Sequence, residues 1–215
     1  MPARPRTLDE LAATVRARAG AAARFVVAIA GPPGAGKSTL AEALLERLEA
    51  AEPGSAGLVA MDGFHYDNRV IGPRGLLARK GAPETFDAAG LAACLRRVRS
   101  GGEDVAVPVF DRAADLARAG AGIVAATARI VLVEGNYLLI DQPPWDALAP
   151  LFDLTVFIAV GEEELERRHV RRWLDHGLAP QAARERALGN DMVNVRLVMA
   201  RSRPADITIG ALDLT

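Results

Sequence analysis

Eight residues constrain this chain more than any others: Gly31-Pro-Pro-Gly-Ala-Gly-Lys-Ser38 follows the pattern G-x-x-x-x-G-K-[ST] at every fixed position. They are preceded by Phe25-Val-Val-Ala-Ile-Ala30, a continuous β-favouring run of the kind that forms a strand buried on both faces. They are followed by Ser38 to Ala51, where Leu40, Leu44, Leu45 and Leu48 recur at helical spacing and Pro53-Gly54 closes the segment. A strand that feeds a helix through a glycine-rich turn points backbone N–H groups inward at the positive end of the helix dipole, which suits phosphate oxygens. Gly31, Gly34, Ala35, Gly36, Lys37, Ser38 and Thr39 are therefore the candidate nucleotide-phosphate residues. In this reading Lys37 reaches the β- and γ-phosphates and the Ser38 hydroxyl ligates Mg²⁺. The competing reading is a glycine-rich turn without a ligand. Composition argues against it, because Lys37 and Lys80 are the only lysines and one of them falls on the required position.

The rest of the chain alternates in the same manner. Thr7 caps a helix that runs to about Gly20, with Glu10 at the third position. Further apolar strands are expected at Gly57–Met61, Val105–Phe110, Ile130–Val133, Thr155–Val160 and Ile207–Ile209. Helical stretches are expected at Asp87–Arg99, Trp145–Leu151, Glu162–His176 and Pro180–Met199. Strands alternating with helices of ten or more residues predict an α/β fold with a parallel sheet covered on both faces. We divide the chain into an N-terminal helix, residues 1–23, and one domain, residues 24–215, with a lid at about 162–178.

Charge and cysteine content narrow the setting. The 26 basic residues nearly balance the 27 acidic ones, so no global basic field points to nucleic acid or to an anionic membrane. Cys94 is the only cysteine, which excludes an intramolecular disulfide and fits a cytoplasmic protein. No signal-type apolar stretch is read among the first 24 residues, and no segment is long enough and apolar enough to span a membrane.

A phosphate loop fixes the nucleotide and leaves the acceptor open, so the carboxylates at the neighbouring strand ends matter next. Asp62 follows Leu58-Val-Ala-Met61 and Glu134 follows Ile130-Val-Leu-Val133, each with glycine after it. In a parallel sheet these ends gather at the edge that carries the loop. One carboxylate there can take a proton from an attacking hydroxyl and the other can hold Mg²⁺ or its water shell. Solvated carboxylates at two strand ends are the plainer alternative. No N-K-x-D occurs and no D-x-x-G follows a strand run, so ATP is the expected phosphoryl donor.

Five strings, Gly31 to Ser38, Met61-Asp-Gly-Phe-His-Tyr-Asp-Asn68, Arg74 to Asp87, Val105-Ala-Val-Pro-Val-Phe-Asp111 and Val133-Glu-Gly-Asn136, run in the order found in one group of proteins. In this the chain resembles the uridine kinase, phosphoribulokinase and bacterial pantothenate kinase group. Asp62–Asn68 and Trp173-Leu-Asp-His-Gly177 are similar to members labelled fructose transport system kinase or nucleoside and nucleotide kinase-like. The resemblance implies a three-layer P-loop NTPase fold, with a mostly parallel five-stranded sheet, helices on both faces and a small helical lid. It implies an ATP-dependent kinase that moves the γ-phosphoryl of Mg-ATP to a hydroxyl of a small metabolite: pantothenate-like, a nucleoside or a sugar. Relatives include dimers and tetramers, so the resemblance allows a homodimer and leaves the oligomeric state open.

Carried over by position, the resemblance makes Asp62 the general base on the acceptor and Glu134 the acidic residue of the following strand. Phe64 and His65 would sit beside the acceptor, while Lys80 and Pro83 to Asp87, with Phe86 among them, would shape its pocket. Phe110 and Asp111 match the aromatic and acid of the uridine kinase P-x-Y-D segment. Where uridine kinases continue with a histidine and an arginine, this chain has Asp115 and Arg118.

Arg167, Arg168, Arg171 and Arg172 share a helical segment, and lids of the group close such arginines over the transferring phosphate. Arg168 and Arg172 are the candidates, against the alternative of a solvated face paired with Glu162 to Glu166. His169 and His176 show no metal-ligand spacing and are read as surface or packing residues. Burial is expected for Trp145, Trp173 and Cys94. Two other functions stay open: a regulatory NTPase without an acceptor, and a nucleotide sensor that has lost its chemistry.

Overall fold

The computed structural model describes residue 5 and residues 7–210; Arg4, Arg6 and the outer ends of the 1–23 and 24–215 segments lie outside the described residues. Helix α1, Leu8–Ala19, starts where Thr7 Oγ1 accepts the Glu10 N–H at 3.2 Å. Strand β1, Phe25–Ala30, is buried along its whole length and passes through the phosphate loop into α2, Lys37–Ala51. After β2, Ala56–Ala60, the long polar connection is not a bare loop. It is built from 3₁₀ turns at Met61–Phe64, Leu77–Arg79 and Pro83–Thr85 and the short α3, Asn68–Ile71. Asp87 then caps α4, Ala88–Ser100, by accepting the Gly90 N–H at 2.8 Å.

The chain continues through β3, Val105–Asp111, β4, Leu116–Val124, and β5, Ile130–Gly135. A 3₁₀ helix at Trp145–Leu151 leads to β6, Leu154–Ile158, and then to α5, Glu162–Asp175. Helices α6, Pro180–Arg186, and α7, Met192–Arg201, precede β7, Ile207–Ile209.

Five strands form one sheet in the order β2-β5-β1-β6-β7, with every neighbouring pair parallel. Both faces are dry because successive residues of the central strands serve different cores. Val26, Ala28, Val131 and Val133 pack with Leu91, Leu95 and Val98 of α4 on one side. Val27, Ile29, Ile130 and Leu132 pack with α1, α2 and α7 on the other. Fully burying each leucine or valine contributes about 1.5–3 kcal/mol, which is why these runs are continuous and not alternating. Register sets the chemistry: Glu134 lies level with Ile29 of β1 and Ala60 of β2, so it borders both the phosphate loop and Asp62.

Two elements differ from the expected pattern. Strand β3 leaves the sheet and pairs with β4, an unexpected strand, as an antiparallel hairpin. Its Pro108 sits at the register shift between Val107 and Val109, where a missing N–H breaks no ladder bond. The helix expected over Pro180–Met199 is interrupted by a π-helical turn at Ala187–Asp191. Asn190 and Asp191 lie in that turn, and Asp191 lines the larger cavity described next.

Candidate active site

The phosphate loop borders a cavity of about 220 Å³ lined by Gly34, Gly36, Lys37, Ser38, Thr39 and Glu134, among others. Gly34 and Gly36 hold φ of +80° and +93°, a region that side chains disfavour. Gly31 and Ala35 shape the loop from behind the cavity. A Cβ on Gly31 would stand 2.9 Å from the Ile158 carbonyl, and Ala35 is buried. Lys37 is buried, with its ammonium donating to the Pro32 carbonyl at 3.0 Å. Burial pulls its pKa down to about 8 against the attraction of Glu134 and Asp62. Burial, followed by repulsion from Asp62, pushes the Glu134 carboxyl up to about 7, although Lys37 and a hydrogen bond from Ser38 favour its charged form. Hydroxyl and carboxylate make Ser38 and Glu134 an all-oxygen pair, the donor chemistry that a hard divalent cation requires. No three His, Cys, Asp or Glu side chains converge on one point among the described residues. Magnesium in such sites takes most of its ligands from phosphate and water.

A larger cavity of about 540 Å³ adjoins the first. Pro33, Asp62, Arg112, Asn136 and Arg172 line both, so the two meet at the end of β2. Asp62 is placed there by a close crossing. A Cβ on the next residue, Gly63, would stand 2.3 Å from the Pro108 carbonyl, so only glycine lets the hairpin lie over this turn. Arg112, at the end of β3, donates to Asp62 at 3.1 Å.

His65, Phe86, Phe110 and Lys80 all line the larger cavity. The His65 ring lies between Phe86 and Phe110, with centroids at 3.9 and 4.7 Å, and its Nδ1 bonds the Asp62 carbonyl at 2.9 Å. Burial lowers the His65 pKa and so favours the neutral ring. Lys80 bonds both the side chain and the carbonyl of Asp115, each at 2.7 Å, and its ammonium lies 5.4 Å over the Phe110 ring. Asp115 is the one non-glycine residue with positive φ among the described residues, and Asn68 also donates to it. The hairpin tip is thereby latched to the connection that follows β2. Tyr137 supports this wall by donating to the Gly81 carbonyl at 2.5 Å.

Three expected acceptor contacts lie elsewhere. Phe64 packs against the α4-side core, and Asp111 and Arg118 pair with each other at 2.7 Å across the hairpin, outside the cavity. The antiparallel register sets Asp111 opposite Leu116 and Arg118 opposite Val109, so the two are diagonal neighbours on one face of the hairpin, within reach of long side chains. Arg112 and Asp115 take the places expected of Asp111 and Arg118. In an arginine-rich chain no sequence signal singled out Arg112.

Helix α5 supplies Arg172 and Trp173 to the wall of the larger cavity, and its two candidate arginines separate. Arg172 lines both cavities and donates to Asp191 at 3.0 Å. Arg168 pairs with Glu164 at 2.7 Å and donates to the Gly34 carbonyl at 3.0 Å, which holds it on the outer side of the loop. His169 is buried and bonds the Pro33 carbonyl at 3.0 Å, with its other nitrogen 3.7 Å from Asp191. Burial lowers its pKa. Trp145 is buried as expected, beside Phe86 and Tyr137, and Cys94 is half-buried. Trp173 is not in the core: it lines the larger cavity, donates to Asp191 at 2.6 Å and lies under the guanidinium groups of Arg172 and Arg186. Asp191 was missed in sequence because it lies at the end of the π-helical turn, which local spacing does not mark; Asn136 and Trp173 stood within the Val133–Asn136 and Trp173–Gly177 strings without being assigned to the site.

Residues 26–192 match the phosphoribulokinase / uridine kinase family model. A protein of Schizosaccharomyces pombe, provisionally named a uridine kinase, is 33% identical over 200 residues, 89% of this chain and 85% of the relative. A pantothenate kinase of Cutibacterium acnes is 35% identical over 159 residues, 70% of this chain and 48% of that one, so the match spans about half its length. A solved structure from Silicibacter sp. TM1040, provisionally described as a fructose transport system kinase, superposes with a TM-score of 0.88. It is 46% identical, over 94% of this chain and 98% of that one.

Proposed function

Because the chain belongs to the phosphoribulokinase / uridine kinase family and is an ATP-dependent kinase, we propose that it transfers the γ-phosphoryl group of Mg-ATP to a hydroxyl of a small metabolite in the cytoplasm. The observation that carries this reading is the junction of the two cavities at Asp62 and Arg172. One cavity has the phosphate loop in its wall; the other has the aromatic and polar lining of a metabolite pocket.

In this mechanism the loop N–H groups and Lys37 hold the β- and γ-phosphates. Ser38 and Glu134 would hold Mg²⁺, which when bound would neutralise charge on the phosphate oxygens. Asp62 orients the acceptor hydroxyl and takes its proton as the new O–P bond forms and the bond to the β-phosphate oxygen breaks. Arg172 and Lys37 answer the charge that spreads over the transferring group. Closure of α5 over the junction would exclude water and suppress hydrolysis.

Acceptor-dependent ADP release tests the reading, with a panel of pantothenate, ribonucleosides, deoxyribonucleosides, ketohexoses and pentoses. One acceptor should raise release well above the blank in the parent protein and fail to do so in Asp62→Asn. Steady hydrolysis indifferent to every acceptor would instead favour a regulatory NTPase.

A further inference from the structure

Three carboxylates line the acceptor-side cavity, and each already holds a cation. Asp62 takes Arg112 at 3.1 Å, Asp115 takes Lys80 at 2.7 Å, and Asp191 takes Arg172 at 3.0 Å. Arg186 breaks the pattern. It lines the same cavity and has no carboxylate partner among the described residues. Its guanidinium lies 5.2 Å over the Trp173 ring, and Nη1 donates to the Ala78 carbonyl at 3.2 Å.

The surrounding wall is fixed. Asn190 donates to the Lys80 carbonyl at 3.1 Å and accepts from Arg79 at 3.2 Å, which ties the π-helical turn that follows α6 to the 77–80 segment. Arg186 lines the acceptor-side cavity but not the phosphate cavity, so its charge does not serve the nucleotide's phosphates.

A guanidinium carries five N–H donors in a rigid fork, and one carbonyl cannot satisfy them. A neutral nucleoside or sugar would leave the positive charge unanswered, whereas a carboxylate or phosphate can take two parallel hydrogen bonds from it. Stacking on Trp173 restrains the fork, so less freedom is lost on binding. We infer that the acceptor carries an anionic group, a carboxylate or a phosphate monoester, seated on Arg186 while its hydroxyl faces Asp62. This rests on the kinase reading of the cavity and narrows the acceptor to hydroxy acids and phosphorylated polyols.

The test uses pairs that differ chiefly in charge: pantothenate with panthenol, glycerate with glycerol, and ribulose 5-phosphate with ribulose, together with uridine and fructose. Binding is measured by calorimetry on the full chain with Mg²⁺ and a non-hydrolysable ATP analogue, and turnover by ADP release. At least one anionic member should bind about 10-fold or more tightly than its neutral partner. Whether the carboxylates or the phosphate ester show the preference identifies the source of the charge. Arg186→Gln should remove most of the preference and Arg186→Lys should keep part of it, with the loss in the acceptor KM and not in the KM for Mg-ATP. Equal binding of any neutral compound, no binding by any anionic member, or a preference that survives in Arg186→Gln would overturn the inference. An anion that binds through Arg186 but is never phosphorylated would instead count against the kinase reading and leave the anion site standing.

Discussion

Arg112 Nη2 stands 3.1 Å from Asp62 Oδ2, and both residues line the phosphate cavity and the acceptor-side cavity. The Arg112 side chain is 74% exposed, so the pair contributes little stability and can open readily. An open pair would free Asp62 for a hydroxyl and Arg112 for a phosphate oxygen. Asp62→Asn removes the proposed base and keeps the shape. Phosphoryl transfer should fall by about 10²-fold or more, with nucleotide affinity nearly unchanged. Initial rates and nucleotide titration check this; undiminished transfer in the Asp62→Asn protein would remove Asp62 from the mechanism.

Lys37 is buried against the loop it serves, and no other lysine lines the phosphate cavity. Lys37→Ala should weaken Mg-ATP binding and turnover together, because in the proposed mechanism the same ammonium contacts ground-state phosphate and transferring phosphate. Fluorescent-nucleotide titration beside steady-state rates would reveal a split between the two.

The Glu134 carboxyl, pushed up to about 7 by burial, must lose its proton to hold a cation. Mg²⁺-dependent nucleotide affinity should rise about 10-fold from pH 6 to pH 8, and Glu134→Gln should remove the protein's share of that rise. Stability of the free protein has the opposite dependence over the lower range. Between the ordinary 4.5 and about 7 the folded carboxyl keeps a proton that the unfolded chain releases, so Glu134 makes stability fall as pH rises through that window. Lys37, depressed to about 8, makes it rise again from about 8 to 10.5. Thermal denaturation across pH, with and without Glu134→Gln, separates the two groups.

Gly63 has no room for a side chain, since the obstructing atom is the Pro108 backbone carbonyl at 2.3 Å. Gly63→Ala should cost about 1–3 kcal/mol in urea denaturation, and should raise the acceptor KM by moving the hairpin and Asp62 apart.

Asp191 holds Trp173 at 2.6 Å and Arg172 at 3.0 Å. Asp191→Ala leaves the indole N–H without its acceptor, at a cost of about 1–3 kcal/mol. It should also lower kcat by releasing Arg172. Asp191→Asn keeps an oxygen for the indole and loses the charge, so stability should recover further than kcat does.

Local signals carried much of the architecture. The burial of β1, the Thr7 and Asp87 helix starts and the strand–loop–helix around Lys37 are all written within a few residues of each other, and helix periodicity and capping act over that range. Strand β4 was not legible, because Leu116–Val124 is rich in alanine and glycine and mostly exposed, so no apolar alternation marks it. The π-helical turn at Ala187–Asp191 was hidden for a related reason: its surroundings have strong helical spacing, and one inserted residue leaves no compositional trace.

The site divides along the same line. By itself the sequence determined the phosphate loop, its lysine and hydroxyl, and two carboxylates at strand ends, because each follows from the residue type at a fixed offset from an element. Only the tertiary structure decided that Arg112 meets Asp62, that Arg172 and not Arg168 faces the junction, and that Asp191 gathers Trp173 and Arg172. Those partners are 50, 18 and 19 residues apart. Hairpin register and one extra residue in a helix choose among chemically equivalent arginines, and side-chain chemistry alone cannot.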